Sequence, residues 1–442
     1  MLRRQFIAGL AAQSLALYPT SLLWGMGEKK DGSDYGITSG GKKPVTTIGK
    51  RSLEDIRDVF HHELYDLTIP LWKKQGVDWK YGGYFDNYNE RDEIVGGNKR
   101  LYYQSRILWL YSYFYTHFDQ DEFHLRAAKA GFDFLKNYCV DDKYDWFTEV
   151  TREGKPVTKF FDIYASIYMV LGLGEYYRAS GVEEARDLAV KSAYRVNEII
   201  LSPTYLAPGH GRWYEPGTKR LGTWLHYLNA LTPLLRYTAD PGLEQIAKMC
   251  VRNMLNHHWQ PDIGYAFEAL QHDFTPYPDD LFIDDESRTT PNSERWVNNF
   301  HTMEAAWMIM DEALRTGNRR MFEEGMKFGR VHLEKCWVER NGQQGLVQFF
   351  RPDDPESFER GEICKPYVIK EVFILLLLAL EHSGEQWAAD WFDRAFGYSY
   401  GKPLDWPYRD TLHQPRGVMF CLEILNRMIE RKGKVSDYFD RA

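Results

Sequence analysis

The 442-residue sequence is short of cysteine, of long apolar runs and of any surplus of positive charge. Its five cysteines, at 139, 250, 336, 364 and 421, are odd in number and scattered, with no C-x-x-C pair and no metal-ligand spacing. This excludes a disulfide scaffold and a structural zinc module, and leaves buried free thiols as the expectation. Lys and Arg total 55 against 63 Asp and Glu, a formal charge of −8, and the basic residues are interspersed with acids rather than gathered in a stripe. A nucleic-acid footprint is therefore excluded. No G-x-G-x-x-G follows a strand-like run and no H-E-x-x-H is present, so neither a nicotinamide cofactor nor a metal ion is expected.

What is present is apolar and aromatic bulk. Hydrophobic residues make up 44% of the chain and aromatics 15%, enough for a large core, while 27% charged residues fit an ordinary globular protein. The 14 Trp, 29 Tyr and 25 Phe suit both core filling and stacking on sugar rings. The opening MLRRQFIAGLAAQSLALYPTSLLWGMG pairs Arg3 with Arg4, then Phe6 and Ile7, then an apolar run too short to span a bilayer stably. Residues 1–27 read as a twin-arginine export leader, which implies a periplasmic or extracellular protein with no membrane span once the leader is removed. The competing reading is an uncleaved anchor, because no clean A-x-A site follows. Residues 28–50, rich in Gly, Ser, Lys and Thr, read as a flexible linker.

From residue 51 to 442 a single domain is expected. Helical periodicity and breakers mark about twelve segments, near 52–75, 101–117, 121–138, 160–179, 182–199, 222–237, 241–257, 298–316, 318–334, 368–382, 384–397 and 411–431. They pair through long, turn-rich connections such as YGGYFDNYNERDE and GYAFEALQHDF, and the pairs are joined by short links such as RASGVEE and RTGN. Six such pairs, none able to bury its faces alone, predict an all-α (α/α)6 barrel with even-numbered helices inside and long loops at one mouth. The first two turns of each inner helix then line the cavity. They carry Tyr102, Gln104 and Arg106; Asp162 and Tyr164; His226; His301 and Glu304; Glu371; and His413 with Arg416. Taken singly, each histidine is as readily a core or surface residue, Glu304 a first-turn acid and Arg106 an ion-pair partner.

Several of these segments resemble the N-acylglucosamine 2-epimerase and cellobiose 2-epimerase superfamily. YGGYFDNYNERDE followed by YYQSRILWLYSYFY resembles its G-G-[FY]-F segment and Q-G-R-x-x-W helix, the latter through Gln104, Ser105, Arg106 and Trp109. TWLHYLNALTPLLR resembles L-H-x-L-E-A and carries His226. NNFHTMEAAWMIM resembles G-H-x-x-E-x-x-W through His301, Glu304 and Trp307, and LHQPRGVMFCLEIL the terminal H-x-x-R helix through His413 and Arg416. The likeness runs from about residue 52 to the end. It departs at Gly222, where cellobiose-type members have Asn, at Val368 and Ile369, which replace Pro and His or Gln before Glu371, and at Tyr102, where several relatives have Trp.

The resemblance implies a cofactor-independent sugar 2-epimerase or aldose-ketose isomerase acting on a reducing mono- or disaccharide through a cis-enediolate. It implies that His301 and His413 are the acid/base pair, that Glu304 orients His301, that His226 assists ring opening and that Arg106 holds the oxyanion, with Tyr102, Tyr164 and Glu371 around the sugar. A monomer or homodimer is expected. Two other classes stay open: an (α/α)6 glycoside hydrolase or lyase recruiting Asp162, Glu268, Asp285 or Glu371, and a non-catalytic sugar-binding barrel, which requires that the three histidines not converge.

Overall fold

The computed structural model of the chain describes residues 43–89, 91–208, 213–277, 295–340, 342–401 and 410–441. The expected leader, the linker as far as residue 42, and Asp285 lie outside them. In chain order the helices are α1 (Leu53–His62), continued by a π turn (Glu63–Thr68) into α2 (Ile69–Gln75); α3 (Leu101–Phe114), α4 (Glu122–Tyr138), α5 (Ile163–Ser180), α6 (Glu183–Leu201), α7 (Leu221–Leu235), α8 (Pro241–Asn253), α9 (Asn299–Thr316), α10 (Arg319–Cys336), the short α11 (Pro355–Arg360), α12 (Lys370–Ser383), α13 (Gln386–Tyr400), α14 (His413–Glu430) and the short α15 (Tyr438–Arg441).

Apolar patterning sorts them into two rings. Outer α8 buries Leu243, Ile246, Ala247, Cys250 and Val251, the one-sided stripe of a helix that faces solvent behind. Inner helices have neighbours on every side: in α7 all residues but Pro233 are buried, and in α12 all are. This is why the run FILLLLAL belongs to a core. Among the described residues no helix is long and apolar enough to cross a membrane.

Inner helices α3, α5, α7, α9, α12 and α14 pack each on the next, outer helices pack on the inner helix before them, and α1 packs on α14. Between α14 and α3 the ring closes through side chains: Tyr113 donates to both oxygens of Glu423 at 3.0 and 3.1 Å, and its ring lies 5.6 Å from Phe420. The architecture is the expected (α/α)6 toroid. The short links turn sharply, with Gly181 and Gly317 at φ 69° and 67° ending α5 and α9 in the left-handed conformation that an L side chain resists.

At the other mouth the long connections form small antiparallel ladders against the starts of inner helices. Lys99–Arg100 pairs with Phe147–Val150, Lys219–Arg220 with Ala269–Leu270, and Val297–Asn298 with Phe349–Phe350. Two local expectations change. The second inner helix starts at Ile163 rather than 160, because Pro156–Phe161 is a strand and Asp162 caps the helix. The end of the expected linker is folded: Thr47–Ile48 pairs with Arg51–Ser52, Val45 N–H donates to Gly433 O at 2.8 Å, and the apolar Ile48 is buried in the core. All five cysteines are buried free thiols.

Candidate active site

The ladders deliver their last residues, Arg100, Arg220 and Asn298, as the N-caps of α3, α7 and α9. The first turns of the inner helices are therefore tied to the loop frame, and side chains distant in sequence meet there. On α9, His301 Nδ1 lies 2.8 Å from Glu268 Oε2. Glu268 is fully buried, and its other oxygen accepts from Arg220 Nη2 at 2.6 Å. Backbone bonds pin it in place: Glu268 N–H donates to Trp296 O, and Leu221 N–H to Glu268 O, both at 2.8 Å. Arg220 Nη1 donates to Tyr164 Oη at 3.1 Å.

Glu304 has a different role from the one expected. It lies one turn along α9 from His301 and bonds across the cavity, not to its neighbour's Nδ1; the orienting carboxylate of His301 is Glu268. Glu304 Oε1 accepts from Arg416 Nη2 at 2.6 Å, and the same nitrogen donates to Glu371 Oε1 at 2.6 Å. His413 Nδ1 stands 3.2 Å from that Glu371 oxygen and 3.5 Å from Glu304 Oε1. Trp307 Nε1 holds the second Glu371 oxygen at 2.9 Å. Each of two imidazoles thus has a buried carboxylate behind its Nδ1, which leaves Nε2 as the free nitrogen.

His226 completes the cluster. Its ring centroid is 5.6 Å from that of His301 and 5.4 Å from that of Tyr164, and its Nδ1 is 3.0 Å from Tyr168 Oη. Ring nitrogens of His226 and His301 and an oxygen of Glu304 lie within 4.8 Å of one another, as do ligand atoms of Glu304, Glu371 and His413. The three histidines do converge. Phe300 lies beside the pair, 4.9 Å from His413 and 6.1 Å from His301 between ring centroids. Arg106 sits between two phenol rings, 3.8 Å from the Tyr102 centroid and 4.1 Å from that of Tyr168, and donates to Tyr102 Oη. Gln104 faces away from this group: it clasps the backbone of Tyr84 through bonds of 2.8 and 2.9 Å and so fixes the first long loop.

Burial and partners pull the charges apart. Burial alone lowers the pKa of His413, but hydrogen bonds to Glu304 and Glu371 outweigh it and raise the value above 6.5. Burial dominates at His226 and holds it well below 6.5, hence neutral. Burial would raise Glu268 and Glu304; instead His301 and Arg220 bring Glu268 down to about 2, and His413, His226 and Arg416 bring Glu304 lower still. One imidazole is thereby biased to its protonated form and another to its neutral form, the asymmetry that acid/base chemistry uses.

The two triads with close ligand atoms are the described residues that could hold a metal ion. In the second, the Arg416 guanidinium already bonds both carboxylates where a cation would sit. A hydrolase pair finds little support among the carboxylates. Glu268 and Glu371 are each engaged by an imidazole and a guanidinium, and Asp162 caps α5 by accepting from Tyr164 N–H at 2.9 Å.

Gly222 stands where a side chain would collide with the site: a Cβ there would lie 2.7 Å from His301 Cε1 and 3.0 Å from its Nδ1. Sequence patterning missed Glu268 and Tyr168 as histidine partners. The available signal for the first was the repeat of Lys-Arg-Leu at 99–101 and 219–221, which marks where a loop strand hands over to an inner helix.

Residues 83–403 match the N-acylglucosamine 2-epimerase (GlcNAc 2-epimerase) family model. The chain is 26% identical over 408 residues to the cellobiose 2-epimerase of Ruminococcus albus, covering 83% of this chain and 98% of that one. It is 23% identical over 404 residues to the N-acylglucosamine 2-epimerase of Rattus norvegicus, covering 83% and 91%. The solved cellobiose 2-epimerase of Bacillus thermoamylovorans B4167 shares the fold at TM-score 0.68 and 19% identity, over 85% of this chain and all of that one.

Proposed function

Since the chain belongs to the N-acylglucosamine 2-epimerase family and is a carbohydrate isomerase, we propose that it moves the C2 proton of a reducing mono- or disaccharide without a redox cofactor. The observation that carries this reading is the pair of carboxylate-backed imidazoles, His301 on Glu268 and His413 on Glu371, both within reach of Glu304.

Opening the sugar ring moves one proton from the C1 hydroxyl to the ring oxygen as the C1–O bond breaks and the carbonyl forms, with no net proton supplied; neutral His226 assists as a hydrogen-bond donor to the ring oxygen. The exposed aldehyde acidifies the C2 hydrogen. One imidazole takes that proton through Nε2, so the C2–H bond breaks, an N–H bond forms and the electron pair moves into a cis-enediolate. The other imidazole, protonated beforehand, returns a proton to the opposite face of C2, giving the epimer; delivery to C1 instead gives the ketose. Arg106 stabilises the charge growing on oxygen, an effect worth roughly 3 kcal/mol for a preorganised donor.

The leader containing Arg3 and Arg4 exports the folded enzyme to the periplasm or beyond, where it meets free sugars. The assembly we propose is a monomer or homodimer. The test is incubation in D2O with glucose, mannose, N-acetylglucosamine and cellobiose, with the C2 proton followed by NMR. Deuterium entering C2 of both epimers with the wild type, together with loss of epimerisation in His301→Ala and in His413→Ala, supports the reading. Bond cleavage without exchange overturns it. Cell fractionation with N-terminal sequencing tests export.

A further inference from the structure

His226 carries a question that the proposed chemistry leaves open: which of its nitrogens bears the proton. Its Nδ1 lies 3.0 Å from Tyr168 Oη, and both residues are buried. Two geometries satisfy that distance. Either Nδ1–H donates to the phenol oxygen and Nε2 is a bare base, or the phenol donates to Nδ1 and the proton sits on Nε2.

The surroundings of Tyr168 choose between them. Arg106, which has donors and no acceptor, lies 4.1 Å from the centre of the Tyr168 ring, so it offers the phenol proton nothing to bond. The other charged or titratable groups acting on Tyr168 are Tyr102, Glu304 and Arg416. Tyr102 Oη already accepts from Arg106, and Glu304 Oε1 from Arg416. Among the described residues the buried phenol has one partner within hydrogen-bond distance, His226 Nδ1, and the Nδ1–H tautomer would leave the phenol's own proton without an acceptor. The far side of the imidazole agrees. Glu304 Oε2 is fully buried, has no hydrogen-bond partner and belongs to the carboxylate grouped with His226, so an Nε2–H pointing into the cavity meets an acceptor.

We infer that Tyr168 is a positioning residue: its hydroxyl donates to His226 Nδ1 and fixes His226 as the Nε2–H tautomer, a hydrogen-bond donor toward the sugar. One consequence follows, resting on the reaction proposed above: His226 enters the cycle as a hydrogen-bond donor and cannot abstract the C2 proton first.

The direct test is 15N NMR of the histidine rings in uniformly labelled enzyme, with His226 assigned by comparison with His226→Gln. A bare Nδ1 and a protonated Nε2 are expected. A protonated Nδ1 in the wild type overturns the inference whatever the enzyme's activity, so its failure is distinct from failure of the epimerase reading. Tyr168→Phe keeps the ring beneath Arg106 and removes only the hydroxyl. It should shift the His226 nitrogens toward a tautomer mixture and lower kcat about tenfold, with KM changed less than about twofold, the size of one hydrogen bond. Unchanged His226 nitrogen shifts in that variant contradict the role given to Tyr168. His226→Gln, whose amide nitrogen takes the place of Nε2–H, should retain more activity than His226→Asn, and the reverse order refutes donor character at Nε2.

Discussion

Replacing Glu268 with Gln changes one atom and should disable His301. In the native site the carboxylate accepts from both sides, from His301 Nδ1 at 2.8 Å and from Arg220 at 2.6 Å. An amide cannot. Arg220 offers only donors, so it captures the amide oxygen and turns the NH2 group toward His301 Nδ1, which must then accept. The imidazole proton is forced to Nε2, and the base is lost. A wrong tautomer of this kind costs at least about 100-fold in kcat, or ~2.7 kcal/mol of barrier. Stability falls as well. Neutralising one member of a buried pair costs about 3–5 kcal/mol, and Arg220 keeps its 3.1 Å bond to Tyr164, which places the loss near the lower figure. Linkage gives the same scale: a carboxyl held at about 2 against its ordinary 4.5 contributes about 3 kcal/mol. Because that pKa is depressed, the contribution is present above pH 4.5 and is lost as pH falls toward 2. Thermal melts and C2 deuterium exchange measure the two effects separately. In Arg220→Met/Glu268→Gln the unpaired charge is gone and no guanidinium claims the amide oxygen, so stability should recover and kcat should recover in part, the oxygen now accepting from His301 Nδ1. A Glu268→Gln enzyme with kcat within threefold of wild type refutes the role assigned to Glu268.

Three further outcomes follow. Gly222→Ala, with its Cβ 2.7 Å from His301 Cε1, should push the ring off Glu268 and lower kcat more than about tenfold, whereas an unimpaired variant means that the ring has room to move. The raised pKa of His413 favours the protonated form, so its contribution to stability is complete below pH 6.5 and is lost as pH rises through the folded-state value. The alkaline limb of kcat should lie above 6.5, set by Glu371, Glu304, Asp410 and Arg416, and move toward acid in Glu371→Gln. Lys370→Met leaves the buried Glu63 without its 2.8 Å partner and should cost about 3–5 kcal/mol in chemical denaturation, most of it recovered in Glu63→Gln/Lys370→Met.

The helices were legible because each is written locally. An outer helix such as α8 shows its stripe, an inner helix such as α7 shows near-continuous apolarity, and Gly181 and Gly317 mark turns between them. The site residues that sit on first turns, His226, His301, Glu371 and His413, were legible for the same reason and through family motifs. Their partners were not. Glu268 meets His301 only because a two-residue ladder pairs Ala269 with Arg220, a contact across 49 positions that no periodicity announces. Glu304 was misassigned because adjacency on a helix suggested a bond to His301, while Arg416 of α14 offers a charged partner at 2.6 Å. Ile48 was read as linker because the composition around it outweighed one apolar residue.

The central claim is that His301 and His413 serve opposite faces of C2. It is tested most directly by washout of deuterium from the C2-deuterated forms of both epimers of one substrate, using His301→Asn and His413→Asn. Each variant should abolish epimerisation yet still exchange one epimer, and the two variants should retain opposite ones. Retention of the same epimer by both, or exchange of both epimers by either, contradicts the account.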